Sequence, residues 1–154
     1  RITPMVQEAY ERLAGDATPI ELRYEPTWRQ SGLMAALATA RPDDVRRGVS
    51  TVGPHRDELD MTIAGLPSRT HASQGEQRTL ALALRLAGHR LVTERTGSAP
   101  VLVLDDVLSE LDDGRARALL GHLPVGQVVI TTASELPPAA QADHILRIEA
   151  GAVV

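Results

Sequence analysis

Apolar residues recur at helical spacing over the first fifteen positions: Met5, Val6, Ala9 and Leu13 share one face, and Gly15 followed by Asp16 supplies a stop. The spacing predicts a helix over residues 2–15. Ile20 to Tyr24 alternate as a short strand. A second helical stretch is expected from Gln30 to Ala40, ended by Pro42, with the polar segment Asp43 to Gly48 as a connector. A domain boundary is therefore placed at residue 48. Beyond it Leu59, Met61 and Ile63 alternate, a turn is expected at Gly65 to Pro67, and a return strand reaching Ala72 completes a hairpin. A long helix follows Ser73 and carries Leu80, Leu84, Ala87 and Leu91 as far as Thr96, with Gly97 as its terminator.

From Pro100 the pattern changes. Val101 to Leu104 is apolar at every position, the mark of a strand buried on both faces of a parallel sheet. A helix over Asp112 to Leu123 leads to a second apolar run, Val128 to Ile130, that ends in Thr131 and Thr132. Strand, helix, strand in this order makes a right-handed parallel crossover. Ile145 to Ile148 and Ala152 to Val154 around Gly151 read as a small terminal hairpin. The whole predicts an α/β fold.

Composition narrows the function classes. Apolar residues are 43% and charged residues 23% of the 154, which excludes a disordered tail, and no apolar run is long enough to span a bilayer. No signal-peptide pattern is visible, so the cytoplasm is the default location and a membrane is not an expected partner. The absence of Cys excludes disulfides, a thiolate zinc site and a cysteine nucleophile, and the five His lack metal-ligand spacing. All 16 basic residues are Arg. A phosphate-binding loop of the form GxxxxGK[ST] needs a lysine on the β- and γ-phosphates, so this chain contains no ordinary one. The chain opens at Arg1 without a Met, as a fragment would. Its net charge of −4 argues against wholesale neutralisation of a nucleic-acid backbone by this piece alone.

The strongest chemical element is VLVLDD at 101–106. A buried strand ending in two carboxylates presents them at the sheet's C-terminal edge, where open α/β folds bind ligands; this is a Walker B pattern. Asp105 would hold magnesium, usually through water, because a hard dication takes oxygen ligands. Asp106 would orient or deprotonate an attacking water. An acidic turn capping the next helix is the plain structural alternative. The second element is SQGEQRT at 73–79, a Ser-x-Gly at a helix start, suited to phosphate through backbone N–H groups and a hydroxyl. Ser73 and Glu76 also stand at capping-box spacing, and the box is compatible with phosphate binding. The third is SELD at 109–112, four residues beyond Asp105.

These elements, in this order, resemble ABC-type ATPases, and within them the RecF family, on GPHRDE at 53–58, SQGEQRTLALALRLA at 73–87 and LVLDDVLSELDDGRARALL at 102–120. The resemblance is firm from residue 50 to the end and loose over residues 1–48. It implies the C-terminal lobe of an ABC-type ATPase head over 49–154, a mostly parallel sheet with flanking helices, and the end of a helical arm over 1–48. It also implies that two heads sandwich ATP. Ser73, Gly75 and Gln77 would then act in trans on the partner's nucleotide and Asp105 and Asp106 in cis, while Ser109 to Asp112 form a D-loop across the dimer interface. Where transporter-type members carry Glu after the first Walker B carboxylate and His after the next strand, this chain has Asp106 and Thr132, which implies slow hydrolysis suited to a switch. The implied cofactors are ATP and magnesium, and the implied partners are DNA at single-strand gaps, recombination mediators and a second copy. DNA-contacting residues, and the role of His55 and Arg56, do not follow from spacing.

Two alternatives stand beside this reading. One is an SMC- or RecN-type head, for which adjoining coiled-coil heptads would be expected and none is visible. The other is a non-catalytic interaction module, which the missing lysine makes the expectation for this piece acting alone.

Overall fold

The computed structural model describes residues 2–154, which divide into two compact units, 2–16 with 78–154, and 17–77. In the second unit, strand β1 (Ile20–Tyr24) pairs antiparallel with β2 (Leu59–Ile63) along its full length, from Ile20 opposite Ile63 to Tyr24 opposite Leu59. Strand β2 turns back into β3 (Leu66–Pro67) through Ala64 and Gly65, both at positive φ (52° and 76°), the tight hairpin geometry that matches strand twist. The return strand stops at Pro67, short of the expected Ala72, because Ser68–His71 closes into a single helical turn, α3, with Ser68 buried.

Helix α2 (Leu33–Arg47) also departs from expectation, since it runs through Pro42 and absorbs the segment read as a connector. None of its residues is buried. An exposed helix tolerates the lost proline hydrogen bond because water can take the orphaned carbonyl. Its end is held instead by Gly48 in the left-handed conformation and by Asp44, which accepts from both the Thr51 N–H (2.9 Å) and the Thr51 hydroxyl (2.6 Å). The boundary drawn at residue 48 thus falls at this cap, inside the second unit, with β1 on one side and its partner β2 on the other.

The first unit is built from α1 (Thr3–Ala14), α4 (Gln74–Thr96, whose residues from Arg78 onward lie here), β4 (Leu102–Asp105), α5 (Asp113–Gly121) and β5 (Val128–Thr131). Its buried apolar residues are Val6, Tyr10 and Leu13 of α1, Leu80, Ala83 and Ala87 of α4, Leu102 and Leu104 of β4, and Leu108, Ala116 and Leu119 beyond it. Helix α1 packs on α5. Buried His89 meets the Pro100 carbonyl at 2.8 Å, tying α4 to the entry of β4. Strands β4 and β5 are parallel, as the crossover requires. Among the described residues the parallel component is this pair, and the other two sheets are antiparallel.

Strand β4 buries one face only. Leu102 and Leu104 are buried, whereas Val103 is 57% exposed and Val129 beside it 40%. The unbroken apolar run anticipates cover on both faces, and this chain supplies it on one. The chain closes with the hairpin β6 (Ile148–Glu149) and β7 (Ala152–Val153). No helix among the described residues is long and apolar enough to cross a membrane.

Candidate functional site

Strands β4 and β5 pair in register from Leu102 with Val128 to Asp105 with Thr131, so the last rung places a carboxylate beside a hydroxyl at the C-terminal edge. The Thr131 hydroxyl donates to Asp105 Oδ1 and accepts from the Asp106 N–H at 3.0 Å. The same N–H reaches the Thr131 carbonyl at 3.1 Å. Asp106 is left-handed, at φ 48° and ψ 24°. Side chains other than Gly enter that region at a cost of about 1–2 kcal/mol, with Asp and Asn the best tolerated. The sharp turn carries the chain off the sheet, leaves both carboxylates exposed, and opens a 3-10 turn over Val107–Glu110 anchored by buried Leu108. The Ser109 hydroxyl donates back to the Asp106 carbonyl at 2.8 Å.

Asp112 caps α5. Its carboxylate accepts from the Arg115 N–H at 2.8 Å and from the Arg115 guanidinium at 2.7 Å. Those contacts, the backbone N–H foremost, hold its pKa below the ordinary carboxylate value. Arg78 joins α4 to the SELD turn through an ion pair with Glu110 (2.8 Å) and a hydrogen bond to the Glu110 carbonyl (3.3 Å). Thr132 shares a hydrogen bond with the Ser134 hydroxyl at 3.0 Å and accepts from the Ser134 N–H at 3.2 Å, a local turn. Thr131, rather than Thr132, is the threonine that reaches Asp105. Thr131 is not singled out by the sequence pattern; the parallel register that sets Leu102 opposite Val128 places the residues following the two runs side by side.

In the second unit the first turn of α4 forms the capping box. The Ser73 N–H and hydroxyl both donate to Glu76 Oε2 at 2.7 Å, and the Glu76 N–H donates to Ser73 Oγ at 3.3 Å. Gln77 donates to the carbonyls of Ser68 (3.2 Å) and Ala72 (3.0 Å), fixing the helix start to α3. Gly75 lies within this turn. A phosphate arriving at Ser73 would exchange with Glu76 for the hydroxyl proton.

The GPHRDE segment is a turn ahead of β2. Arg56 bonds backward to the carbonyls of Gly53 (2.8 Å, through its N–H) and Ser50 (2.9 Å, through Nε). Asp57 accepts from the Tyr24 hydroxyl at 2.6 Å and Trp28 Nε1 at 3.0 Å, and the hydrogen bond from Tyr24 is the main cause that raises the Tyr24 pKa. Gly53 has φ 135°, and a Cβ there would stand 3.1 Å from the His55 ring.

Among the described residues no group of three or more His, Cys, Asp or Glu could cage a metal. The oxygen donors at the β4 edge fit a different pattern, in which magnesium keeps waters, takes one or two carboxylates and shares substrate phosphates. Asp105 would be such a carboxylate.

No protein-family model matches the chain. Proteins described as DNA replication and repair protein RecF do match it. That of Streptomyces avermitilis is 43% identical over 142 residues, covering 86% of this chain and 38% of the relative. That of Gloeobacter violaceus is 39% identical over 166, covering 99% and 44%. That of Symbiobacterium thermophilum is 37% identical over 171, covering 100% and 45%. The chain thus spans less than half the length of these curated relatives. Among solved structures, the recombination mediator protein RecF-ATPrS in the RecFOR pathway superposes with a TM-score of 0.69 at 29% identity, over 99% of this chain and 43% of that one. The RecF-ATP structure superposes with a TM-score of 0.67 at 29% identity.

Proposed function

Because the chain belongs to the RecF family, corresponding to its C-terminal part, we propose that it contributes the signature, Walker B and D-loop parts of a DNA-repair ATPase. The observation that carries this reading is the β4 edge, where parallel pairing and a left-handed turn present Asp105 and Asp106 together. Asp105 holds magnesium and Asp106 orients or deprotonates the water that attacks the γ-phosphate. Magnesium, when bound with ATP, neutralises charge on the phosphates. Asp106 carries one methylene fewer than the Glu of transporter-type heads, which favours slow turnover and a switch-like cycle.

In this reading residues 49–154 are the C-terminal ATPase lobe and 1–48 the end of an arm. Ser73, Gly75 and Gln77 meet the partner head's γ-phosphate, Ser109 to Asp112 cross the dimer interface, and Thr132 stands where transporter-type heads carry His. The exposed apolar face bearing Val103 and Val129 supports cover by the remainder of the protein, which also supplies the lysine-bearing phosphate loop. ATP closes two such heads into a homodimer that engages DNA at single-strand gaps in the cytoplasm and, with mediator proteins, helps to load recombinase. The lack of lysine supports a second reading for this segment by itself, as an interaction module without turnover.

The test is Asp106→Asn in the whole protein. Asparagine keeps the shape and the left-handed turn while removing the base, so ATP binding should persist, hydrolysis should slow at least tenfold, roughly 1.4 kcal/mol of barrier, and the ATP-bound dimer should accumulate. Hydrolysis at the parental rate would remove Asp106 from this role.

A further inference from the structure

We infer that Arg78 is the positioning residue of the SELD turn: by clamping Glu110 it holds Ser109 to Asp112 in the shape in which that segment meets a second head. The inference rests on the dimer reading above and adds a residue to it.

A polar turn has few apolar side chains to hold it, and buried Leu108 is the anchor of this one. Its start is tied by the Ser109 hydroxyl on the Asp106 carbonyl, and its exit by Asp112 on the Arg115 N–H and guanidinium. Those side-chain ties join residues three apart, so they shape the segment locally without fixing it to another element. Arg78 reaches it across 32 residues. It stands on α4 in the same unit, and its guanidinium takes both groups that Glu110 offers: Nε meets carboxylate Oε2 at 2.8 Å, and an Nη donates to the carbonyl at 3.3 Å. One planar fork thus fixes a side chain and the backbone of the same residue, which a point charge on a flexible stem would not do.

The effect lies in association rather than in folding. The two side chains are 43% and 55% exposed, and an ion pair in water contributes little to stability because solvent screens it and two long side chains must be ordered. When two heads meet, however, a segment already fixed loses little freedom, whereas a loose one is ordered at the expense of affinity. In a two-fold dimer the same segment is used twice, so the loss enters twice. Asp105, Asp106, Glu110, Asp112 and Asp113 also make this stretch acidic, and the guanidinium offsets part of that charge. Fork and charge separate in a double variant.

The experiment uses the full-length protein. A fluorescent ATP analogue reports nucleotide affinity at protein concentrations where the chain is monomeric, and sedimentation at saturating ATP and magnesium gives the dimer dissociation constant. In Arg78→Ala the nucleotide affinity and the melting temperature should stay near parental, while the dimer constant rises at least about fivefold, the lower end of ordinary coupling between sites. Glu110→Ala keeps the bond to the carbonyl and should lose less. The double variant should match Arg78→Ala alone, because the fork is already gone. Recovery of the parental constant in the double variant would show that Arg78 only offsets charge, and would overturn the inference. So would a parental dimer constant in Arg78→Ala, or a rise matched by an equal loss of nucleotide affinity. Arg78→Gln, which keeps a helix-favouring stem, is read in parallel should alanine disturb the fold. A parental protein that stays monomeric with ATP would remove the dimer reading and the inference with it.

Discussion

Replacing Asp106 by Gly and by Ala separates the backbone of the β4 turn from its chemistry. Both variants remove the carboxylate and its repulsion of Asp105, so the difference between them reports the left-handed conformation at φ 48°. Alanine carries the steric cost of that region, about 1–2 kcal/mol, and glycine does not. Glycine gives back about 0.4–1 kcal/mol through the greater freedom of its unfolded chain. The balance leaves Asp106→Gly more stable than Asp106→Ala by roughly 0.5–1 kcal/mol, a difference of about 1–4 °C in melting temperature for a chain of this size. Asp106→Asn, which tolerates the same conformation, isolates the charge. Denaturant titration and thermal melts of the three variants supply the numbers. Equal stability of the Gly and Ala variants, or an advantage for Ala, would show that residue 106 does not hold a left-handed turn.

Two further expectations concern the first unit. Leu119 on α5 is fully buried, so Leu119→Ala should cost about 2–5 kcal/mol in a denaturant titration; a loss below about 1 kcal/mol would mean that the α5 face is not core. The Asp112 cap should show in the acid limb of stability, since its folded-state pKa lies below the unfolded value through the Arg115 N–H and guanidinium. The cap's contribution is complete above the ordinary carboxylate pKa of about 3.9 and disappears as pH falls through the lowered folded-state value. Asp112→Ala should therefore lose stability at neutral pH and converge on the parental chain in acid, and parallel curves down to pH 2 would contradict the assignment.

Much of the fold is legible in the sequence because period and punctuation agree. Gly15 and Gly97 end α1 and α4 in left-handed conformations, as the spacing requires, and two all-apolar runs become a parallel pair. Legibility fails where a local rule meets weak tertiary demand. Pro42 fails to end α2 because no residue of that helix is buried and water can satisfy what proline removes. The apolar run at 101–104 is legible as a strand, but the described residues leave its second face exposed. At the candidate site the two carboxylates and the capping box follow from spacing, since their determinants lie within a few residues. Thr131, Arg78 and Arg115 were missed for lack of a sequential signal. The contacts of Thr131 and Arg78 depend on register or on packing across 26 and 32 residues respectively. Arg115 is local to its cap, but no role follows from its place in the 102–120 stretch.

The central claim is that Ser73 to Gln77 act on a partner's nucleotide, and the most direct measurement is the solution mass of the full-length Ser73→Arg protein with and without ATP. Arginine would fill the γ-phosphate space, while initial ATP capture depends on the other lobe's phosphate loop. Near-parental ATP affinity, a monomer at every ATP concentration and no hydrolysis are expected. A purely local role for the capping box predicts only a loss of about 1 kcal/mol of helix stability. An unchanged ATP-dependent dimer accompanied by nothing more than a lower melting temperature would contradict the account.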